Sequence, residues 1–97
     1  MYIAVRRYKA NPGTMEEIAT RVQTGFLPIV SQAPGFVAYH LVDGGNDVVV
    51  SISVFEDQAG ADESTRLAAD WVRQNLVSLL QGPPEITAGR EIARGGR

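Results

Sequence analysis

The side chains best suited to acid–base or anion chemistry in this chain are His40 and Arg6. His40 is the single histidine of the sequence, and a neutral imidazole can take or give a proton near pH 7. Arg6 stands between Tyr2 and Tyr8, where a guanidinium could hold a phenolate or a carboxylate. Each has a plainer alternative. His40 could be an interface residue hydrogen-bonded to a serine, and Arg6 could form an ion pair across a dimer.

Composition excludes several other kinds of site. With 0 Cys and 1 His in 97 residues, disulfides, zinc–thiolate and iron–sulfur sites, a cysteine nucleophile and a multi-histidine metal site within one chain are excluded. The 9 basic and 11 acidic residues give a net charge of -2, which provides no electrostatic footprint for nucleic acid or an anionic membrane. Ser51 and Ser53 have no plausible acidic partner near His40, so a hydrolase triad is not expected.

The length predicts one domain over residues 1–97, with 94–97 as a flexible tail. The longest near-apolar run, residues 48–55, is far shorter than the ~20 residues of a membrane span. The N-terminus lacks the order of a secretory signal, because its apolar residues precede its basic ones. A chain without cysteine suits the cytoplasm, where we expect it to act without nucleic-acid or membrane partners.

Six elements must position these side chains. Four segments rich in β-branched and aromatic residues predict strands at 2–9, 36–42, 47–55 and 85–93. Helical spacing predicts one helix from Thr14, with a second piece beginning near Pro28, and a long helix over 57–81. The order β-α-β-β-α-β is that of the ferredoxin-like α+β fold, a four-stranded antiparallel sheet with both helices on one face.

The predicted hairpin decides which side chains share a face of the sheet. If residues 43–46 form the loop, Val42 pairs with Asp47 and His40 pairs with Val49. This register places a mostly aliphatic set under the helices: Ile3, Val5, Val37, Tyr39, Leu41, Val48, Val50 and Ile52. The opposite face then carries aromatic, small and hydrogen-bonding residues: Tyr2, Ala4, Arg6, Tyr8, Phe36, Ala38, His40, Val49, Ser51, Ser53 and Phe55.

That second face needs a cover, because a monomer would expose its aromatic side chains. A second copy of the chain is expected to supply the cover, sheet against sheet. The space left between could hold a small, mostly apolar ligand, since pockets have this mixture of lining residues. The expected ligand-binding side chains are Tyr8, Phe36, Ser51, Ser53 and Phe55.

A resemblance to the antibiotic biosynthesis monooxygenase-like family of dimeric α/β barrels covers nearly the whole chain. It rests on Pro34-Gly35-Phe36, the strand VVVSISVFED at 48–57, the helix ESTRLAADWVRQNL at 63–76, and Gly89. The resemblance implies a homodimer whose two sheets pack face to face. Members include cofactor-independent monooxygenases of polyphenols and quinols, haem-degrading enzymes and proteins of unknown role.

Two further site residues come from this resemblance. Trp71 is similar to the tryptophan that the oxygenases place near substrate, and Arg90 is similar to an active-site arginine of the last strand. Leu67 stands where the polyphenol oxygenases have an asparagine. Arg6 stands in the region of an asparagine used by the haem-degrading members, and the long helix lacks their histidine, so haem degradation is disfavoured. The plainer alternative for Trp71 is a core side chain packed on the sheet.

The leading hypothesis is a homodimer that binds an aromatic or quinone-like molecule between sheet and helices and oxidises it with O2, without a bound cofactor or metal. His40 would assist deprotonation, while Arg6 or Arg90 would stabilise the resulting anion. Trp71 and Phe55 would shape a dry cavity. The alternative, favoured by the missing asparagine, is a non-catalytic dimeric ligand-binding or interaction module.

Overall fold

Four antiparallel strands form one sheet in the spatial order β2-β3-β1-β4. A computed structural model describes residues 1–96 of the chain. The strands are β1 (Tyr2–Lys9), β2 (Phe36–Asp43), β3 (Val48–Phe55) and β4 (Glu85–Arg90). The helices are α1 (Met15–Arg21), α2 (Leu27–Val30) and α3 (Gln58–Asn75). This arrangement confirms the predicted ferredoxin-like α+β fold. Residues 94–96 of the predicted tail carry no helix or strand, and Arg97 lies outside the described residues.

The first helical arm runs from α1 to α2 through a π-helical turn, Val22–Phe26. The Leu27 N–H donates to the carbonyl of Val22, five residues back. Pro28, which has no N–H to donate, stands in the first turn of α2. The predicted second piece near Pro28 is therefore a continuation through a wider turn. Thr14 precedes α1 without a side-chain cap, because its hydroxyl donates to the Asn11 carbonyl at 2.7 Å.

α3 is one continuous helix that begins after Asp57, whose carboxylate accepts a hydrogen bond from the Gly60 N–H at 2.9 Å. A Cβ at Gly60 would lie 2.7 Å from the Phe55 ring, so this glycine allows the helix to sit close to β3. The helix ends earlier than predicted. A short 3-10 turn, Val77–Leu79, and Gly82 follow it and lead into β4. No helix within residues 1–96 is long and apolar enough to cross a membrane.

The hairpin register differs from the predicted one. His40 pairs with Ile52, three positions along β3 from the predicted partner, Val49. The loop closes tightly around Asn46, since Gly45, Asn46 and Asp47 all adopt positive φ (80°, 52° and 62°). Asparagine, aspartate and glycine are the residues that tolerate this conformation. The shift is an odd number of residues, so the side chains of β3 that were predicted to face away from the helices lie under them, and the reverse. The same holds for β1, which pairs with β3.

The exchange corrects the predicted faces of β1 and β3. The side chains of these strands that lie under the helices are Ala4, Arg6, Tyr8, Val49, Ser51, Ser53 and Phe55, all buried. The opposite, helix-free face, which we call the open face, carries aliphatic side chains from the same strands: Ile3, Val5, Val48, Val50, Ile52 and Val54. The prediction that placed Ile3, Val5, Val48, Val50 and Ile52 under the helices is therefore wrong.

β2 keeps most of its predicted orientation. Tyr39 and Leu41 lie under the helices, and His40 is exposed on the open face. A bulge between Phe36 and Ala38 changes the alternation at the start of the strand. Phe36 consequently packs edge-on against buried Phe55, with ring centroids 5.8 Å apart. The prediction that Phe36 shares a face with His40 is wrong for this reason.

Candidate functional site

Arg6 is the buried centre of the space between the sheet and the helices. Its side chain lies on β1 and is 1% exposed. Nε donates to Ser51 Oγ at 3.0 Å, Nη1 donates to Thr65 Oγ1 at 3.1 Å, and Nη2 donates to Ser53 Oγ at 2.6 Å. We call Arg6 and these three hydroxyl residues the Arg6 cluster. Among residues 1–96, no acidic side chain forms an ion pair with Arg6.

The electrostatics of the Arg6 cluster leave one uncompensated positive charge. Burial lowers the pKa of Arg6, but a guanidinium stays protonated at neutral pH. Burial raises the pKa of Tyr8 and raises that of Tyr39 to about 12, while the nearby Arg6 charge opposes both shifts. Both phenols are therefore neutral at pH 7 and do not balance Arg6. An anion brought to this point would gain electrostatic energy in a region of low dielectric.

The raised pKa of Tyr39 predicts a loss of stability in alkali. The unfolded chain ionises this phenol near its ordinary pKa of 10, and the folded chain does so at about 12. Between these pH values the unfolded state releases the proton first, so folding stability falls as pH rises. We expect Tyr39→Phe to reduce this fall by an amount of the order of 1 kcal/mol in urea unfolding at high pH. Tyr2→Phe is the control, and an equal effect of the two variants would contradict the prediction.

Two cavities meet at the Arg6 cluster. The smaller, with a volume of about 20 Å³, lies between the sheet, the first helical arm and α3. The larger, with a volume of about 410 Å³, lies between α3 and residues 77–86. Four residues line both: Arg6, Tyr8, Val72 and Leu80. The larger cavity is of the size that binds small molecules, with apolar walls and few polar groups, and Arg6 is its buried charge.

Trp71 lines the smaller cavity as part of an aromatic row. Its ring packs on Phe26 with centroids 5.6 Å apart at 45°, and Phe26 meets Tyr39 edge-on, also at 5.6 Å. The indole is half-buried and lies against Gly25, where a Cβ would approach it to 2.8 Å. Both interpretations of Trp71 are consistent with this position, since it packs on the core and also borders the cavity.

Gly25→Ala tests the close approach of the π-helical turn to Trp71. Alanine favours a helix by about 1 kcal/mol over glycine, but the clash with the indole is expected to reverse that gain. We expect a net loss of about 1 kcal/mol in urea unfolding. In a Trp71→Ala background the same substitution should be neutral or stabilising. Gly89→Ala, where no atom lies within 4 Å of the added Cβ, is the control. A destabilisation that persists without the indole would show that the clash is not the cause.

The structure gathers part of the predicted site. Arg6, Tyr8, Ser51 and Trp71 line the cavities, and Ser53 accepts a hydrogen bond from Arg6. The remaining predicted residues lie elsewhere: Phe36 and Phe55 pack against each other, exposed His40 lies on the open face, and exposed Arg90 pairs with Tyr2 at the end of β4. The register argument that grouped His40 with Arg6 is wrong.

Sequence reasoning missed Thr65, Tyr39 and the wall formed by residues 77–86. Thr65 follows the buried Ser64 on α3, so a hydroxyl at the border of the buried helix face was the available signal. Pro83 and Pro84 follow the predicted end of the long helix at residue 81, and both line the larger cavity. The contribution of this segment depends on how it returns to β4, which local patterns do not specify.

The chain was compared with protein-family models, curated proteins and solved structures. The family model described as antibiotic biosynthesis monooxygenase matches residues 1–69. No curated protein matches the chain. A solved protein of unknown function from Nitrosomonas europaea is similar over 99% of this chain and 93% of its own, with a TM-score of 0.81 and 23% identity.

Two other solved structures carry bound molecules. A monooxygenase from the gene ActVA-Orf6 of Streptomyces coelicolor, in complex with the ligand Nanaomycin D, is similar over 99% of this chain and 92% of its own, with a TM-score of 0.74 and 20% identity. A MhuD mutant with two manganese protoporphyrin IX molecules per active site covers 100% of both chains, with a TM-score of 0.77 and 13% identity. These likenesses show a shared fold.

Proposed function

This chain belongs to the antibiotic biosynthesis monooxygenase family, and we propose that it binds an aromatic or quinone-like small molecule between its sheet and its helices. The observation that carries the proposal is the buried charge of Arg6 on the wall of a largely apolar cavity of about 410 Å³. No acidic side chain in the described part of the chain pairs with it. We further propose that the protein acts in the cytoplasm, a compartment that a chain without cysteine suits.

The proposed reaction is oxidation of a phenol or quinol by O2 without a bound cofactor. A naphthol, for example, gives up its phenolic proton, and Arg6 stabilises the phenolate. The electron-rich ring then reduces O2: one oxygen atom is added to the ring, which becomes a quinone, and the other leaves as water. The substrate supplies all the electrons, so the protein's part is to bind the anion, orient the ring and exclude water.

The residues around the cavities limit this proposal in two ways. His40, the predicted base, lies on the open face, so the phenolic proton passes to water in this scheme. Within residues 1–96, neither cavity is lined by an imidazole or a thiolate that could ligate haem iron. Tyr8 and Tyr39 line the cavities, but burial raises the pKa of both phenols and keeps them protonated at pH 7. We therefore propose no step through haem.

Oxygen uptake with naphthol tests the oxidation directly. We expect O2 consumption and quinone formation in equal amounts, both at rates proportional to protein concentration. Binding of naphthol without O2 consumption would favour the second candidate, a non-catalytic ligand-binding module. That candidate is supported by the cavity lining of the described chain, which contains no group with an ordinary pKa near 7 to act as a base.

We also propose that two copies pack through their open faces. Val42, on the edge strand β2, is 42% exposed there. The half-buried aliphatic residues of β3, and beyond them those of β1, continue the same face. Such a face leaves apolar surface exposed to water, which is unfavourable unless another surface covers it. Light scattering of the protein at micromolar concentration should give twice the 10.5 kDa chain mass.

Ile52→Lys, in the middle of the open face, should convert this dimer to a monomer. Ile29→Lys is the matched control, because Ile29 is 44% exposed on α2. The control variant should remain dimeric. A wild-type protein of 10.5 kDa, or a dimer that survives Ile52→Lys, would contradict the proposed interface.

A further inference from the structure

We propose that the larger cavity takes its ligand as an aromatic monoanion, with the ionised oxygen on Arg6 and the flat apolar body between α3 and residues 77–86. The inference rests on the proposed small-molecule binding and adds the charge state, the anchor and the orientation of the ligand. The shared chemistry is an acidic oxygen on a fused-ring body, which is either a carboxylate or the ionised hydroxyl of a hydroxyquinone.

Arg6 has N–H groups that are not used by the described part of the protein and can donate to a ligand. A guanidinium carries five N–H groups, and the three hydroxyls of the Arg6 cluster accept one each. Within residues 1–96, one N–H on Nη1 and one on Nη2 therefore remain without a protein acceptor. Thr65 lines the same cavity, and its hydroxyl, which already accepts from Nη1, keeps its own proton to donate. An anionic oxygen at this point would receive charge-assisted hydrogen bonds.

The charge count favours a single negative charge on the ligand. None of the residues that line the larger cavity is acidic, so nothing in the described lining neutralises Arg6. The other cation of the lining, Arg73, is exposed and paired with Asp70 at 2.7 Å. A neutral ligand would leave Arg6 buried without a counter-charge, which is the costly state for an ion. A dianion would bring a second charge that only the already paired Arg73 faces.

The rest of the cavity fits an apolar body. Its walls are aliphatic or proline side chains: Ala69, Val72, Val77, Leu80, Pro83, Pro84 and Ile86. Both prolines have a fixed φ, which limits the backbone freedom of that wall. A flat fused-ring molecule would displace water from these surfaces while its acidic oxygen reaches Arg6. The volume of about 410 Å³ lies within the range of pockets that enclose such ligands.

Matched charged and neutral probes test the inference at pH 7. The carboxylate pair is 2-naphthoate and 2-naphthamide, and the quinone pair is hydroxynaphthoquinone and its methyl ether. Calorimetry gives the affinities, and fluorescence of Trp71, the single tryptophan, reports binding beside the cavity. We expect the wild type to prefer the anion of at least one pair by about ten- to a hundredfold. The pair with the larger preference identifies the acidic group.

Three variants locate the preference. Arg6→Gln should bind both members of each pair with similar affinity, whereas Arg66→Gln, an equal charge change on the exposed side of α3, should keep the preference. Thr65→Val, which leaves the guanidinium in place, should weaken the anion more than the neutral partner. Thr65→Val keeps the test decisive if Arg6→Gln fails to fold.

The outcomes separate this inference from the function on which it rests. Equal binding of charged and neutral probes by the wild type would overturn the inference and leave small-molecule binding intact. A preference lost in Arg73→Gln but kept in Arg6→Gln would also overturn it, by placing the anion near the surface. Failure of all four probes to bind would overturn both.

Discussion

Arg6→Gln is expected to lower kcat/KM for naphthol oxidation by about 10²–10³, the usual loss when one donor to a developing anion is removed. Arg6 is buried, lacks an acidic partner within residues 1–96 and lines the larger cavity. It is thus positioned to donate charge-assisted hydrogen bonds to a phenolate in that cavity. Glutamine keeps a hydrogen-bonding amide but loses the positive charge, so it should bind the phenolate much more weakly.

Initial rates of O2 uptake over a range of naphthol concentrations measure this loss, and circular dichroism checks that the variant is folded. Arg6→Lys should recover only part of the rate, because an ammonium keeps the charge but lacks the planar fork that meets the three hydroxyls. Arg66→Gln should match the wild type. A folded Arg6→Gln protein with wild-type kcat/KM would remove Arg6 from the reaction.

Trp71→Ala is expected to lower the free energy of unfolding by about 3 kcal/mol, near the lower end of the range for truncating a core aromatic. The ring is half-buried, packs on Phe26 and lies against Gly25. Its removal would enlarge the smaller cavity and take away that support. A loss of this size is a large share of the stability of a small domain.

Urea unfolding followed by far-ultraviolet circular dichroism measures this effect, since the variant has no tryptophan to report by fluorescence. Trp71→Phe should lose less, because it keeps an aromatic ring against Phe26. A Trp71→Ala protein within about 0.5 kcal/mol of the wild type would show that the indole contributes little to the core. Its role would then lie with the ligand alone.

The order of elements was predictable because each signal for it is local. Helical spacing, β-branched runs and the Pro-Gly punctuation at 12–13 and 34–35 act over a few residues, and the fold follows from their order. The hairpin register was not predictable in the same way. It depends on three successive positive φ angles at Gly45, Asn46 and Asp47, and an alternative four-residue loop satisfies the same composition.

The wrong loop position, residues 43–46, is the reason that the site was predicted on the wrong side of the sheet. Arg6, Ser51 and Ser53 share one face of the sheet, as expected. That face was placed opposite the helices, because aliphatic side chains were expected under them. In the structure the polar face lies there, and hydroxyls satisfy the buried guanidinium. Thr65 could not be joined to this group from sequence, because only the packing of α3 across β1 brings them together.

A crystal structure of the protein with 2-naphthoate would show directly whether Arg6 holds the anion. We expect a carboxylate oxygen about 2.7–2.9 Å from Nη1 or Nη2 of Arg6, with the rings between α3 and residues 77–86. A naphthoate bound beside His40 on the open face, or held by Arg73 with no contact to Arg6, would contradict it.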